Sequence, residues 1–203
     1  MKKIIYVFVF FSLMFINAFG KGQANQLTIG ENIKPDDVPV NGIYKDNADW
    51  LSNTVTNAIK SNLLNHIFVD LDNNLVLVRK GDKQKIDFGN VAGYYQDGVR
   101  YRAYGSKGFF SLHGYYKVVD DTGLIIYTRR SKNHKTGGRT WYYYSVAPDS
   151  PIQKIKPSNL KKDFAGRPEF VAQSIKAYRN GTLFVKIPNG ELRINELYNS
   201  VNN

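Results

Sequence analysis

The sequence predicts an α+β fold, in which an antiparallel curved β-meander or small barrel-like sheet follows an N-terminal helix and precedes short C-terminal helices. Turn motifs separate short apolar runs throughout residues 67–146, as in a series of hairpins. The chain holds 14 Tyr and 12 Phe, and aromatic residues favour strands. After Pro157 the apolar residues recur at helical steps. A hydrophobic content of 42% is sufficient for a core.

The first 20 residues have the layout of an export signal. Lys2 and Lys3 form a basic head, residues 4–16 are almost wholly apolar, and small residues end the segment at Gly20. This layout is typical of a secretory signal peptide, and the apolar run is short for a membrane span. We expect cleavage after Gly20 and export to the periplasm, the cell surface or the medium. An uncleaved anchor is the alternative.

Residues 21–46 are predicted to form an extended leader, because Gly, Asn, Pro and charged residues are mixed there. A single α+β domain is expected over residues 47–203, which is an ordinary length for one domain. Apolar residues then recur at three- and four-residue steps after Asp46, a residue that can cap a helix. This pattern predicts a helix over Ala48–Leu64.

The middle of the chain is predicted to be a meander. Asp72-Asn73-Asn74, Asp97-Gly98 and Asp120–Gly123 have the chemistry of hairpin turns. Between and around them strands are expected at Ile67–Leu71, Leu75–Arg79, Ile86–Phe88, Tyr94–Tyr95, Val99–Tyr104, Gly114–Val119, Leu124–Arg129 and Thr140–Val146.

Helices are predicted after the meander. Ser158 and Asn159 can cap a short helix, and Pro168 fits the first position of a second one that extends to Tyr178. Residues 182–197 predict either a closing hairpin or a strand followed by a helix.

The order of the aromatic and turn motifs resembles that of exported proteins of Bacteroidetes-type bacteria over about Ile67 to Tyr178. The residues that carry the resemblance are Gly93–Arg102, Gly114–Val119, Gly123–Tyr127, Tyr142–Ser145, Asp149–Ile152 and Asn159–Phe164. The resemblance implies export from a Gram-negative cell. No activity is established for those proteins, so the resemblance assigns no functional residues.

The sequence predicts no catalytic residue, no cofactor and no metal site. Cys is absent, and the three histidines (His66, His113 and His134) lack the spacing of metal ligands. No G-x-S-x-G motif accompanies them. Residues 70–74 begin like a calcium-binding loop, but the Gly and Glu required later in such a loop are missing, so a turn is favoured.

Basic and aromatic residues are concentrated in one segment, and the whole chain carries a net charge of +11. Loss of Lys2 and Lys3 with the signal would leave 26 basic and 17 acidic residues, a charge of +9. No Asp or Glu occurs between Thr122 and Pro148. The predicted partner-binding residues in this segment are Arg129, Arg130, Lys132, Lys135, Arg139, Trp141, Tyr142 and Tyr144.

Cations beside aromatic rings suit an anionic envelope component, such as a glycolipid, an acidic polysaccharide or an anionic lipid surface. Nucleic acid is not expected. The alternative for this segment is a solvated hairpin loop with tyrosines that cover the sheet. We therefore expect a non-enzymatic binding module. A small-ligand or lipid carrier with a cavity in the sheet and a hydrolase of envelope polymers are the alternatives, and the oligomeric state stays open.

Overall fold

A computed structural model describes residues 40–60, 65–105, 114–130 and 138–201. The predicted signal peptide and most of the predicted leader lie outside these residues, as do Lys132, Lys135, His113 and His134. The strands are β1 (Asn41–Tyr44), β2 (Thr56–Ile59), β3 (Asn65–Val69), β4 (Leu75–Arg79), β5 (Asp82–Ile86), β6 (Gly93–Gln96), β7 (Val99–Tyr104), β8 (Gly114–Asp120), β9 (Ile125–Arg130), β10 (Thr140–Ser145) and β11 (Gln153–Lys154). The helices are α1 (Asn47–Leu51), α2 (Pro157–Asp163), α3 (Pro168–Arg179) and α4 (Arg193–Ser200), with a 3₁₀ turn at Phe88–Asn90.

The strands form two antiparallel sheets, and the predicted α+β class is confirmed. The larger sheet has eight strands in the order β11-β10-β9-β8-β7-β6-β1-β2, and it does not close into a barrel. The smaller sheet has the order β3-β4-β5. From β6 to β11 each strand pairs with the next strand in the chain, which is the meander predicted from the turn motifs.

The long N-terminal helix predicted over Ala48–Leu64 is wrong. Asp46 does cap a helix, because its carboxylate accepts the N–H groups of Ala48 and Asp49, but α1 is only five residues long. The chain then enters β2, whose Thr56 hydroxyl donates to the Ile43 carbonyl in the neighbouring strand. Thr54, Val55 and Thr56 are consecutive β-branched residues, which favour strand over helix.

The predicted leader also requires correction at its end. Residues 41–44 form β1, every residue of which is buried. This strand pairs with β2 on one side and β6 on the other. Ile43 and Tyr44 each belong to a hydrophobic cluster. Their burial favours a strand here, although the Pro- and Gly-rich composition of the preceding stretch predicted an extended leader.

Most of the middle strands are confirmed. The ranges Leu75–Arg79 and Val99–Tyr104 are as predicted, whereas the strand predicted at Ile86–Phe88 is misplaced. Lys80 and Gly81 both have positive φ angles, of 52° and 93°, and they form a two-residue turn between paired Arg79 and Asp82. Strand β5 therefore begins directly after this turn. Its polar sequence, DKQKI, lacks the apolar pattern of a buried strand.

Helices α2, α3 and α4 cover one end of the large sheet. A helix begins at Pro168, as predicted. The helix before it already begins at Pro157 without a side-chain cap, so Ser158 and Asn159 are wrong as capping residues because they lie inside its first turn. Residues 182–187 form no strand but a single bridge between Lys186 and Leu192, which is followed by α4. The helices share one hydrophobic cluster with Leu124 and Ile126. The small sheet packs on β1 and β6 at the other end.

A buried polar link fastens the C-terminal helices to the sheet. The Asp120 carboxylate accepts the Leu192 N–H at 2.5 Å, and the Asn195 side chain bonds both the N–H and the carbonyl of Leu124. Burial alone would raise the pKa of Asp120, but hydrogen bonds from Leu192, Thr122 and Asn195 outweigh it and hold the pKa below its usual value.

We expect Asp120→Asn to reduce the free energy of unfolding at neutral pH by about 1–3 kcal/mol, because charge-assisted hydrogen bonds are lost. The contribution of Asp120 is present above the pKa of an unfolded Asp. It disappears as pH falls through the lower native pKa. Urea unfolding at several pH values should therefore show the difference shrinking in acid. Asp121→Asn, at a half-exposed neighbouring site, is the control, with about 0–1 kcal/mol expected. Equal losses of stability in the two variants, independent of pH, would contradict the role assigned to the Asp120 carboxylate.

Candidate anion-binding site

The two faces of β10 have different surroundings. Tyr144 is 1% exposed, and its hydroxyl donates to Asp163 at 2.6 Å. Tyr142 stacks on Phe184 with ring centres 3.9 Å apart. Both rings pack against the C-terminal cluster. Tyr144 is therefore wrong as a predicted partner-binding residue, because the helices cover it, and Tyr142 is half-buried beside it.

On the opposite face of the large sheet, four side chains form a row across four adjacent strands. Arg102 of β7 pairs with Tyr116 of β8, and Arg129 of β9 pairs with Trp141 of β10. Arg129 and Tyr116 are joined by a hydrogen bond of 3.3 Å between Nη1 and the hydroxyl. The Arg129 Cζ atom also lies 5.4 Å from the centre of the Tyr116 ring. We call these four residues the cation–aromatic row.

Two further cations meet at the outer end of the row. The Lys154 Nζ atom lies 3.3 Å from the centre of the Trp141 ring, and the Arg139 Cζ atom lies 4.2 Å from it. Trp141 is half-buried and Arg139 is exposed. Two basic side chains therefore contact one indole ring, and Arg129 is directly opposite Trp141 in the register.

The predicted basic segment divides between the two faces. Arg129, Arg139 and Trp141 come together as expected. Arg130 is exposed on the other face of β9, because side chains alternate along a strand. Lys132 and Lys135 lie outside the described residues. Lys154 was missed, because it comes from β11 and nothing in the local sequence connects it with Trp141.

A glycine makes room for Arg129. Gly114 has a φ angle of +147°, and a Cβ atom at this position would lie 3.1 Å from Arg129 Nη2. A side chain here would therefore strain the backbone and crowd the guanidinium.

A groove of about 860 Å³ opens mainly on the other face of the sheet, because Tyr101, Tyr115 and Arg130 of its lining alternate with the residues of the row along their strands. Three of its described lining residues are cations, namely Lys117, Arg129 and Arg130, and none is Asp or Glu. The remaining described lining residues are Val69, Leu71, Asn73, Tyr94, Tyr101, Gly114, Tyr115, Thr128, Thr140, Trp141 and Tyr143. The groove therefore combines positive charge with aromatic walls, which suits an anionic ligand.

The tyrosines next to the cations stay neutral. Burial raises the pKa of Tyr116, although the hydrogen bond and charge of Arg129 lower it in part. Burial likewise raises the pKa of Tyr143, and Arg129 again opposes the shift. Both hydroxyls remain protonated at physiological pH, so neither tyrosine neutralises the arginine.

The calcium-like segment is a hairpin turn, as expected. The Asp70 carboxylate accepts the N–H groups of Asp72 and Asn74, and it pairs with Lys85 Nζ at 2.9 Å. The hydrogen bond from Lys85 lowers the pKa of Asp70 to about 2. His66 is the one histidine among the described residues, and its ring stacks on Phe68 at 5.9 Å.

Comparisons with protein-family models, with curated proteins and with solved structures found no match to this chain. Within the described part of the chain, no helix has both the length and the apolar character that a membrane crossing requires.

Tyr144→Phe tests the division between the two faces of β10. Loss of the hydrogen bond to Asp163 should lower the free energy of unfolding by about 1 kcal/mol, measured by urea unfolding. Binding of an acidic polysaccharide should not change, because Tyr144 faces the helices. Tyr178→Phe, at an exposed tyrosine, is the control and should leave stability unchanged. Weaker polysaccharide binding by Tyr144→Phe alone would contradict this arrangement.

Proposed function

We propose that this protein is an exported, non-enzymatic binding module for an anionic envelope component, which binds at the outer end of the cation–aromatic row. The observation that carries the proposal is the position of Arg139 and Lys154 against the Trp141 ring, opposite Arg129. Phosphate and carboxylate groups are the chemistry that such a cluster recognises, because arginine can donate two parallel hydrogen bonds to either.

The Trp141 ring supports binding by holding the cations in place. Each cation–π contact contributes about 0.5–1 kcal/mol at an exposed site, which offsets part of the repulsion between neighbouring positive charges. Long basic side chains lose rotamer freedom when they bind a ligand. Cations already confined against a ring lose less of it, so Trp141 favours binding without itself contacting the anion.

Export places this surface in the compartment where its proposed partners occur. The signal-like residues 1–20 support a location where phosphorylated glycolipids, acidic polysaccharides and anionic lipids occur. A charge of +9 after cleavage would attract such polyanions over about a Debye length, roughly 8 Å in physiological salt.

Mass spectrometry of the exported protein tests the location. We expect a chain that begins at Lys21, because Gly20 ends the signal-like segment. A chain that retains residues 1–20 would contradict cleavage.

One observation favours a second candidate function, that of a small-ligand carrier. The groove has three tyrosines in its wall, Tyr94, Tyr101 and Tyr115, on the face of the sheet opposite the row, and aromatic walls are typical of ligand pockets. A carrier would bind a neutral apolar ligand independently of salt, whereas the proposed module requires an anion. The same titration therefore distinguishes the two functions.

The test is a salt titration of binding to an acidic polysaccharide and to vesicles that contain anionic lipid. Affinity should fall linearly with salt on logarithmic scales, because binding releases counterions from a polyanion. The triple variant Arg129→Ala, Arg139→Ala, Lys154→Ala should bind at least tenfold more weakly and show a shallower salt dependence.

The matched control removes the same number of charges elsewhere. Lys161, Lys162 and Lys176 are exposed on α2 and α3, and the triple Ala variant at these positions should bind within about twofold of wild type. Equal losses in both triple variants would show that only net charge matters. Wild-type protein that binds neither probe at low salt would overturn the proposal.

A further inference from the structure

The face of the large sheet opposite the row is covered at both ends and open between them. Tyr101 of β7 shares a hydrophobic cluster with the small sheet, and Tyr142 of β10 shares another with the C-terminal helices. Lys117 of β8 and Thr128 of β9 lie between these two tyrosines in the register. Both line the groove of about 860 Å³, and Lys117 is exposed. The groove is therefore the gap that the two covers leave on this face.

One side of the groove is apolar. It is formed by Val69 and Leu71 of the hairpin between β3 and β4 and by Tyr101 and Tyr115 of the large sheet. Leu71 is 93% exposed, more than any other large apolar side chain of the described residues. A single exposed leucine is ordinary on a protein surface. This one belongs to a groove with aromatic walls, where an apolar ligand would remove it from water.

The other side of the groove is cationic. Lys117 is directly opposite Thr128, and Arg130 is directly opposite Thr140, so each cation has a hydroxyl beside it. Lys117 and Arg130 are diagonal neighbours on adjacent strands, a separation of about 7–8 Å that long side chains span. Within the described part of the chain no Asp or Glu lines the groove, and none forms an ion pair with Lys117. A carboxylate or phosphate group accepts hydrogen bonds from ammonium, guanidinium and hydroxyl groups alike.

We propose that the groove binds a single-chain amphiphile whose head group is a carboxylate or a phosphate monoester. The apolar chain lies against Leu71 and the tyrosine rings, and the head group accepts hydrogen bonds from Lys117, Arg130 and the threonine hydroxyls. An acidic sugar would satisfy the cations but would leave the apolar side in water, so the combination of the two sides favours an amphiphile. The site is independent of the proposed function, because the cation–aromatic row lies on the opposite face of the sheet.

The test is calorimetric titration of the exported protein with ten-carbon ligands below their critical micelle concentrations. Decanoate and decyl phosphate carry the two head groups, decanol carries the chain alone, and acetate and inorganic phosphate carry the head groups alone. Decanoate or decyl phosphate should bind about tenfold or more tightly than decanol and than its own head group, because only the amphiphile uses both sides of the groove. The tighter of the two identifies the head group.

Two exposed positions separate the two sides of the groove. Lys117→Met removes the charge and keeps a long side chain, so it should weaken binding of the anionic amphiphile about tenfold and leave decanol binding within about twofold of wild type. Leu71→Ser should weaken binding of the amphiphile and of decanol alike, because both bury the same apolar side. Lys161→Met, at an exposed lysine of α2, is the matched control and should change neither.

The result for the groove is distinguishable from the result for the row, because Lys117→Met should bind the acidic polysaccharide within about twofold of wild type. Equal affinity for decanol and its charged analogues would assign the groove to a neutral ligand and overturn the proposal. Absence of binding by both decanoate and decyl phosphate would also overturn it, as would unchanged amphiphile affinity in Lys117→Met.

Discussion

The alternation of side chains along β10 is the constraint that separates the two faces of the large sheet, one covered by the C-terminal helices and the other carrying the cation–aromatic row. Four aromatic residues follow one another from Trp141 to Tyr144, and the pleat sends them alternately to opposite faces. Tyr142 and Tyr144 complete the cluster under the C-terminal helices. Trp141 and Tyr143 complete a separate cluster on the other face. A shift of register by one residue would exchange these roles.

The register also determines which charges meet. Pairing of β9 with β10 places Arg129 opposite Trp141, and pairing of β10 with β11 brings Lys154 beside the same ring. At the inner end, pairing of β7 with β8 sets Arg102 next to Tyr116. The row therefore begins at the buried Arg102 and ends at Trp141, where the exposed Arg139 lies against the ring.

Sequence patterns predicted the fold better than they predicted the site. Turn motifs such as Asp97-Gly98 define hairpins locally, so most strands of the meander were found. The helix predicted after Asp46 failed because β2 pairs with β1, and this contact outweighs the helical spacing of the apolar residues. The polar strand β5 was misplaced for the same reason, since its pairing with β4 determines its structure more than its own composition does.

The sequence predicted the basic segment because its charged residues are close together in the chain. It did not predict how these residues divide between the two faces of the sheet. Strand alternation separates Arg130 from Arg129, and tertiary packing determines which face the helices cover. Tyr144 could not be distinguished from Trp141 by residue type alone. Lys154 and Arg102 were missed because strand pairing brings each to the row, Lys154 through β10 and Arg102 through β8.

Trp141 is an intrinsic fluorescent reporter at the exposed end of the row. The chain has two tryptophans. Trp50 is 2% exposed, so quenching of fluorescence by neutral acrylamide reports mainly on Trp141. The most direct measurement is acrylamide quenching at low salt, with and without a saturating acidic polysaccharide. We predict that the polysaccharide protects Trp141 and that added salt removes the protection. Quenching that is unchanged when the polysaccharide is fully bound would contradict binding at this end of the row.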